Sequence, residues 1–205
     1  MAACAVFFDA GYIEKVLLRE HPGKRIDYAK LAAKMAGDEA LLRSYYYNCL
    51  PYQSDPPTQE EKAAYDRKVK FVDALRYLPR FEVRLGKLAK VGVGQNGRPI
   101  FQQKRVDLML GVDMALLAAK GKVTSIAIFT GDSDVIPAVE VVKQEGVVVH
   151  LWHGSMAAGA ANPPSRDLHQ MCDERFDVAT VIDDILMERK QAEPEAAAAE
   201  KMLAE

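Results

Sequence analysis

The stretch Ser125–Asp134, with the sequence SIAIFTGDSD, decides how this chain is expected to fold. Its first six residues are almost continuously apolar, which is typical of a strand buried on both faces of a sheet. Its last four, Gly131 to Asp134, form a polar turn that carries two carboxylates. A second stretch near the N-terminus has the same layout, since the apolar run Cys4–Phe8 leads into Asp9. Both stretches predict a buried strand that delivers acids at its carboxyl end.

Alternating strands and helices continue along the whole chain. Strands are predicted over residues 4–8, 41–50, 81–87, 125–130 and 147–152, and helices over 12–20, 27–37, 58–78, 106–119, 136–146, 167–172 and 179–189. Asp27 and Thr58 are the predicted N-caps of their helices. Because the strands are nearly continuous in apolar residues, we expect an α/β fold in three Rossmann-like layers. Its central, mainly parallel sheet carries helices on both faces.

The domain organisation follows from length and composition. The chain has 205 residues, of which 49% are hydrophobic and 27% charged, a balance typical of one globular domain. We predict a domain over residues 1–190 that contains a hairpin insertion near 88–103, where Asn96-Gly97 is a hairpin turn signal. Residues 191–205, rich in Ala and Glu, are predicted to be disordered or a frayed helix.

Several classes of protein are disfavoured by the sequence. The apolar runs are too short to cross a bilayer, and the N-terminus lacks the basic residues of a signal peptide. Three widely spaced cysteines predict neither a disulfide framework nor a zinc site. We therefore expect a cytoplasmic protein with no membrane partner. The sequence leaves the oligomeric state open.

The charge is distributed unevenly. Residues 62–105 contain twelve Lys and Arg but three Asp and Glu, a net charge of +9 in a chain whose net charge is −2. Such a segment is suited to attract a polyanion such as nucleic acid. A helix and hairpin that are merely solvated would show the same composition, and the sequence does not separate these two interpretations.

Four acids are predicted to converge where ligands bind in open parallel sheets, beyond the carboxyl ends of the strands. Asp9, Asp132 and Asp134 follow predicted strands, and Asp107 begins the helix after the hairpin. Crowded carboxylates repel one another, and Mg²⁺ or Mn²⁺ relieves that repulsion. Asp113 lies six residues further along the helix, about 120° around its axis. The alternative for each acid is that it caps its own helix or turn.

Four motifs together resemble the NYN domain family, in its LabA-like branch, which belongs to the PIN-like nuclease superfamily. These are VFFDAGY (6–12), KRVD (104–107) with Asp113, TGDSD (130–134) and EGVVV (145–149). The resemblance spans residues 4–178. Two positions depart from the family pattern: Tyr12 stands where many members have Asn, and Val135 stands where an aromatic residue is common.

The resemblance implies a metal-dependent ribonuclease of PIN-like fold with Mg²⁺ or Mn²⁺ as cofactor. Asp9, Asp107, Asp132 and Asp134 match the family's catalytic and metal-binding acids, and Asp113 matches a further helix acid. RNA, or another single-stranded nucleic acid, is the expected partner. The residues predicted to bind it are Lys104, Arg105, Lys87, Lys90, Arg98, Tyr12 and Ser133.

Two other functions remain as alternatives. The same fold could bind RNA as an adaptor module with weak or no catalysis, and cleavage in the presence of Mn²⁺ would distinguish the two. A phosphatase-type hydrolase of the haloacid-dehalogenase kind also places an acid after its first strand. That mechanism needs a second acid two residues later, where this chain has Gly11.

Overall fold

The computed structural model describes residues 2–94 and 99–188. In chain order, the elements are β1 (Ala3–Asp9), α1 (Ala10–Glu20), α2 (Tyr28–Ala36), β2 (Ala40–Cys49), α3 (Gln59–Arg76), β3 (Phe81–Val93), β4 (Pro99–Lys104), α4 (Val106–Ala119), β5 (Ser125–Phe129), α5 (Ile136–Gln144), β6 (Val148–His153), α6 (Arg166–Met171) and β7 (Glu174–Asp177).

The strands form one sheet in the order β4-β3-β2-β1-β5-β6-β7. All neighbouring strands are parallel except β3 and β4, which pair antiparallel. The chain moves outward from β1 through β2 to β3, then returns to the centre and continues from β5 towards the other edge. The strand order therefore reverses between β1 and β5, which is where ligand sites form in open α/β sheets.

Strand β1 shows why the sheet is covered on both faces. Its side chains alternate between two hydrophobic cores: Cys4, Val6 and Phe8 pack with α1, α2 and α3, whereas Ala5 and Phe7 pack with α4, α5 and α6. The prediction of a three-layer α/β fold with a mainly parallel sheet is confirmed.

Two of the helix starts are also confirmed. The Asp27 carboxylate accepts hydrogen bonds from the backbone N–H groups of Ala29 and Lys30. The Thr58 hydroxyl and the side chain of Glu61 form a reciprocal capping box at the start of α3.

Strand β3 is longer than predicted and has two halves. Phe81–Gly86 pair with β2, whereas residues 87–93 pair with β4 and project beyond the carboxyl edge of the sheet. We call residues 87–93 and 99–104 the hairpin arm. At its base a Cβ atom on Gly86 would lie 2.5 Å from the Lys104 carbonyl oxygen, so only glycine allows the two strands to approach there. The turn Asn96-Gly97 lies outside the described residues.

The C-terminal part of the domain differs from the prediction. The helix predicted over residues 179–189 is wrong: Val178–Thr180 form one 3₁₀ turn, followed by further turns. The reason is that the backbone pairs with a distant segment, since the Asp27 N–H donates to the Ile185 carbonyl and the Met187 N–H donates to that of Arg25. Strand β7 was not predicted. The tail 191–205 lies outside the described residues.

The described helices were also assessed for membrane spans. None of those within residues 2–94 and 99–188 has both the length and the apolar character needed to cross a bilayer.

Candidate active site at the carboxyl edge of the sheet

A cleft of about 1070 Å³ opens at the carboxyl edge of the sheet, where the strand order reverses. Four acids line it, namely Asp9, Asp107 and Asp132 of the predicted cluster and Glu14 of α1. The remaining lining includes Tyr12, Ser133, the segment 161–165 and, from the hairpin arm, Leu88, Phe101, Gln102 and Gln103. Acids from three separate parts of the chain therefore share one cavity with residues in the half of the arm nearest its base.

Asp9 is the most strongly held of these acids. It ends β1 and caps α1, where its Oδ1 atom accepts a hydrogen bond from the Tyr12 N–H at 3.2 Å. Its Oδ2 atom accepts one from the Thr130 hydroxyl at 2.9 Å. Burial raises the pKa of Asp9, the two hydrogen bonds oppose that rise, and the nearby charge of Asp132 adds to it. The carboxylate is thus fixed in orientation at an energetic cost.

Asp107 lies in the first turn of α4, close to the negative charges of the other acids of the cluster. Partial burial raises its pKa first, and the negative charges of Asp9, Asp132 and Asp134 raise it further. The residue before the helix, Arg105, has a φ of 76° and makes no side-chain cap. A non-glycine residue in this left-handed region is strained, and the strain lies directly beside the acidic cluster.

The turn after β5 arranges the other two acids. The Asp132 carboxylate caps a short 3₁₀ turn by accepting the Asp134 N–H at 3.0 Å. The Asp132 N–H in turn donates to the Thr130 hydroxyl oxygen. Asp134 does not line the cleft, although its charge affects Asp107. Asp9 and Asp132 therefore do both things: each caps its own helix or turn, as the alternative interpretation predicted, and each also lines the cleft.

Tyr12 forms one wall beside this turn. A Cβ atom on Gly131 would lie 2.3 Å from the Tyr12 ring, so glycine is required for the turn to approach it. The Tyr12 hydroxyl donates to the Asn162 carbonyl at 2.8 Å and accepts the Gly154 N–H at 3.2 Å. Burial raises the pKa of Tyr12 to about 12, so the phenol stays neutral at physiological pH.

Lys15 lines the same cleft, and its positive charge lowers the pKa of Asp9. In residues 2–94 and 99–188, no ion pair involves Asp9, Asp107, Asp132 or Asp134. Within the same ranges, no three Asp, Glu, His or Cys side chains converge closely enough to hold a metal ion directly. The donor chemistry nevertheless suits a hard divalent cation, because Mg²⁺ commonly keeps several waters and binds through only one or two carboxylates.

Asp113 occupies a different environment on the same helix. Its Oδ2 atom accepts hydrogen bonds from the Tyr47 hydroxyl at 2.7 Å and from the Arg84 Nε at 3.3 Å. It does not line the cleft. The structure therefore brings together Asp9, Asp107 and Asp132, and separates Asp113 from them.

The predicted cationic residues lie along the hairpin arm and at its end. Lys87, Lys90, Lys104 and Arg105 are exposed, and Arg98 lies outside the described residues. Other cations of the positive segment are engaged within the fold: Lys68, Arg76 and Arg84 form ion pairs, and Arg80 donates to the Leu41 carbonyl. The arm therefore presents exposed cations beside the acidic cleft.

Sequence reasoning missed one residue that orients Asp9 and two that line the cleft. Thr130 is fully buried and bonds Asp9, and its place directly before Gly131 was the signal that could have identified it. Phe101 and Gln103 line the cleft from β4, and Phe101 packs against Tyr52 at 5.1 Å between ring centroids. The mixed sequence of β4, PIFQQK, carries no signal that separates a cleft wall from a solvated face.

The fold and this cleft define a Rossmann-like α/β protein with an acidic site at the reversal of strand order. The chain belongs to the NYN domain family, whose profile matches residues 3–179. NYN domains are generally nucleases of PIN-like fold that act on nucleic acids and typically use divalent metals. The assignment to the LabA-like branch stays a prediction.

Comparison with known proteins adds support for the fold alone. A search of curated proteins finds no match. A crystal structure of a protein of unknown function from Vibrio parahaemolyticus is similar, with a TM-score of 0.61 and 18% identity over 91% of this chain and 96% of that one. MurG from Acinetobacter baumannii has a TM-score of 0.39 and 13% identity over 85% of this chain and 40% of that one, which is too low to carry an argument.

Proposed function

We propose that this protein is a metal-dependent ribonuclease that hydrolyses RNA phosphodiester bonds. The observation that carries the proposal is the cleft that Asp9, Asp107 and Asp132 line together, where none of the three forms an ion pair within the described residues. Such an arrangement costs stability unless a ligand uses it, and perturbed acids in a cleft are typical of functional sites. Membership of a family of nucleases agrees with this interpretation.

In this proposal Mg²⁺ or Mn²⁺ would lie in the cleft, bound directly by one or two of Asp9, Asp107 and Asp132 and through waters by the rest, while Asp134 adds negative charge nearby. When bound, such an ion activates water and neutralises charge on the leaving oxygen of a phosphodiester. The chain's own contribution is orientation: the Thr130 hydroxyl and the Tyr12 N–H hold both oxygens of Asp9 in place. Hydrogen-bonded second partners of this kind fix ligand carboxylates in metal sites.

The hairpin arm holds the substrate in this proposal. The exposed cations Lys87, Lys90, Lys104 and Arg105 bind backbone phosphates, which position a strand without reading its sequence. The ring of Phe101, 38% exposed and in the cleft lining, offers a surface on which an unpaired base can stack. Ser133 and Tyr12 complete the opposite wall.

Binding without turnover is the second candidate, and one observation favours it. Both oxygens of Asp9 already accept hydrogen bonds, and the described acids do not converge on a single point. A domain that kept the cleft for RNA binding alone would show these same contacts.

Cleavage of labelled oligonucleotides separates the two candidates. RNA and DNA of equal sequence are incubated with the protein in Mn²⁺ or in EDTA, and we expect cleavage of RNA in Mn²⁺ alone. Asp132→Asn should abolish it. The matched control is Asp38→Asn, an exposed acid next to the amino end of β2, at the opposite edge of the sheet. RNA that binds but stays intact in every metal condition would favour the adaptor and reject the nuclease.

A further inference from the structure

A second cavity lies beside the acidic cleft. It has a volume of about 770 Å³ and is bounded by α1, the start of α2 and α3. Its walls are largely apolar, formed by Leu17, Ile26, Phe71, Leu75, Leu78 and Met187. We call it the α1–α3 groove. Its volume falls within the range of about 300–1,000 Å³ of pockets that bury most of a small ligand.

The groove is continuous with the acidic cleft. Glu14, Leu88 and Gln103 line both cavities, so they form the passage between them. A nucleic-acid strand held in the cleft along the hairpin arm would meet this passage within its next nucleotides. The groove is therefore an extension of the same binding surface.

The charge of the groove suits a polyanion. Four cations line it, namely Lys24, Arg25, Arg67 and Lys68, against two acids, Glu14 and Asp27. Asp27 caps α2, and two of the cations are also engaged: Lys68 pairs with Glu14 at 2.5 Å and Lys24 pairs with Asp183 at 2.6 Å. Arg25 and Arg67 are exposed at the rim. A phosphate at the rim would therefore meet positive charge above an apolar interior.

The floor of the groove is polar and fixed. Asn48 is 3% exposed, and its Nδ2 atom donates to Glu14 at 3.0 Å and to the Tyr46 hydroxyl at 2.9 Å. Beside it, the half-buried ring of Phe71 packs edge-on against Tyr28 and Tyr46. An apolar pocket with a few fixed polar groups is the usual form of a site for a flat, partly polar ligand.

We propose that the α1–α3 groove binds an unpaired nucleobase of the RNA strand whose backbone lies in the acidic cleft. The proposal rests on the proposed function for the identity of the strand. It gives the protein a preference for single-stranded RNA, because a base held in a Watson–Crick pair cannot enter a pocket walled by α1 and α3. Stacking and apolar contacts with the base supply the affinity. Contacts of the neighbouring phosphates with Arg25 and Arg67 fix the direction in which the strand runs.

A pair of tryptophan substitutions on α3 tests this proposal. Ala64 lines the groove, so Ala64→Trp fills it without touching the acidic cluster. The matched control is Ala63→Trp, since Ala63 is exposed on the same helix and does not line the groove. RNA affinity is measured in EDTA, so that no cleavage occurs, with oligonucleotides that carry one abasic site moved position by position.

In the parent protein and in Ala63→Trp, we expect the abasic site to weaken binding about tenfold at one or two adjacent positions, as for the loss of one stacked base. In Ala64→Trp the intact RNA should bind about tenfold more weakly, and that position-specific penalty should disappear. Circular dichroism and thermal unfolding establish that both variants are folded.

The outcomes separate this proposal from the ribonuclease proposal. An abasic penalty that is equal in both variants, or absent from the parent, overturns the base-binding groove. The base-binding groove is also overturned if Ala64→Trp changes thermal stability but not RNA affinity. That outcome is expected if an apolar ligand or the chain's own C-terminal segment fills the groove. A position-specific penalty without Mn²⁺-dependent cleavage supports the groove and rejects the nuclease.

Discussion

Two carboxylates on α4, those of Asp107 and Asp113, have very different surroundings. At its first turn, Asp107 faces the acids Asp9 and Asp132, and burial together with their charges raises its pKa. Six residues later, Asp113 receives hydrogen bonds from the Tyr47 hydroxyl and from Arg84. The first carboxylate is uncompensated and the second is satisfied.

This difference distinguishes a candidate functional site from a contact that stabilises the fold. A satisfied carboxylate stabilises the fold, because the buried hydroxyl of Tyr47 needs an acceptor. A cluster of carboxylates without ion pairs lowers stability, and such perturbed acids in a cleft are typical of functional sites. The same helix therefore connects the proposed active site to the interior contact that holds β2 and β3 in position.

The largest expected effect is the loss of RNA cleavage when an acid of the cluster around Asp107 is replaced. Asp9→Asn should reduce Mn²⁺-dependent RNA cleavage by more than about 100-fold, since loss of an outer-shell partner alone costs about 10–100-fold. The melting temperature in EDTA should be equal or higher, because one of several crowded carboxylates is removed. Cleavage kinetics and thermal unfolding check both points. A variant that cleaves at the parent rate removes Asp9 from the site, and one that unfolds assigns it to structure.

Replacing Asp113, whose carboxylate is hydrogen-bonded, should change stability instead of cleavage. Asp113→Ala should lower the free energy of unfolding by about 1–3 kcal/mol, because the buried Tyr47 hydroxyl loses its acceptor. Urea denaturation measures this loss, and the folded variant should cleave RNA as the parent does. Asp113→Asn, which keeps an acceptor oxygen, is the matched control and should lose less. If cleavage falls while stability is unchanged, Asp113 belongs to the active site and does not differ from Asp107 as described.

The pH dependence of stability sharpens the comparison. In the folded protein the pKa of Asp107 is raised from its ordinary value of 3.8, so the folded state holds that proton to higher pH than the unfolded state. Stability contributed by the protonated group is present below 3.8 and is lost as pH rises through the raised pKa. Asp107→Asn cannot lose it, so in EDTA its stability relative to the parent should grow as pH rises through that window.

Unfolding in urea at a series of pH values gives this difference directly. A relative stability of Asp107→Asn that falls as pH rises would contradict the raised pKa. Saturating Mn²⁺ should restore the parent at neutral pH, because an ion that binds only the folded state stabilises it by mass action.

The smallest effect concerns the exposed cations of the arm. If about four of them contact a single strand, the slope of log affinity against log salt should be near −3, from about −0.7 per phosphate. The triple variant Lys87→Glu, Lys90→Glu and Lys104→Glu should flatten this slope and weaken binding to all sequences alike. Lys120→Glu with Lys122→Glu, at the opposite edge of the sheet, is the control. An unchanged slope in the triple variant would mean that the arm is merely solvated.

Much of the fold was predictable from the sequence because its signals are local. Strands buried on both faces appear as short apolar runs, and the caps at Asp27 and Thr58 involve residues within one turn of the chain. The same locality explains the error at residues 179–189, where the spacing of Val178, Ile182 and Ile185 suits a helix. Instead, the Ile185 carbonyl and the Met187 N–H bond to the backbone of residues 25–27, and no local pattern indicates such a pairing.

The sequence by itself determined which acids follow strands, since strand ends are set by local composition. Only the tertiary structure decided which of them meet: Thr130 bonds Asp9 across 121 residues, and Gln103 of the arm reaches the cleft because Gly86 lets β3 and the end of β4 approach. It also decided that Asp107 is crowded while Asp113 is satisfied, because the partners of each are supplied by other strands and turns. Propensity acts over a few residues, whereas the electrostatics of a site depend on packing between elements that are distant in the chain.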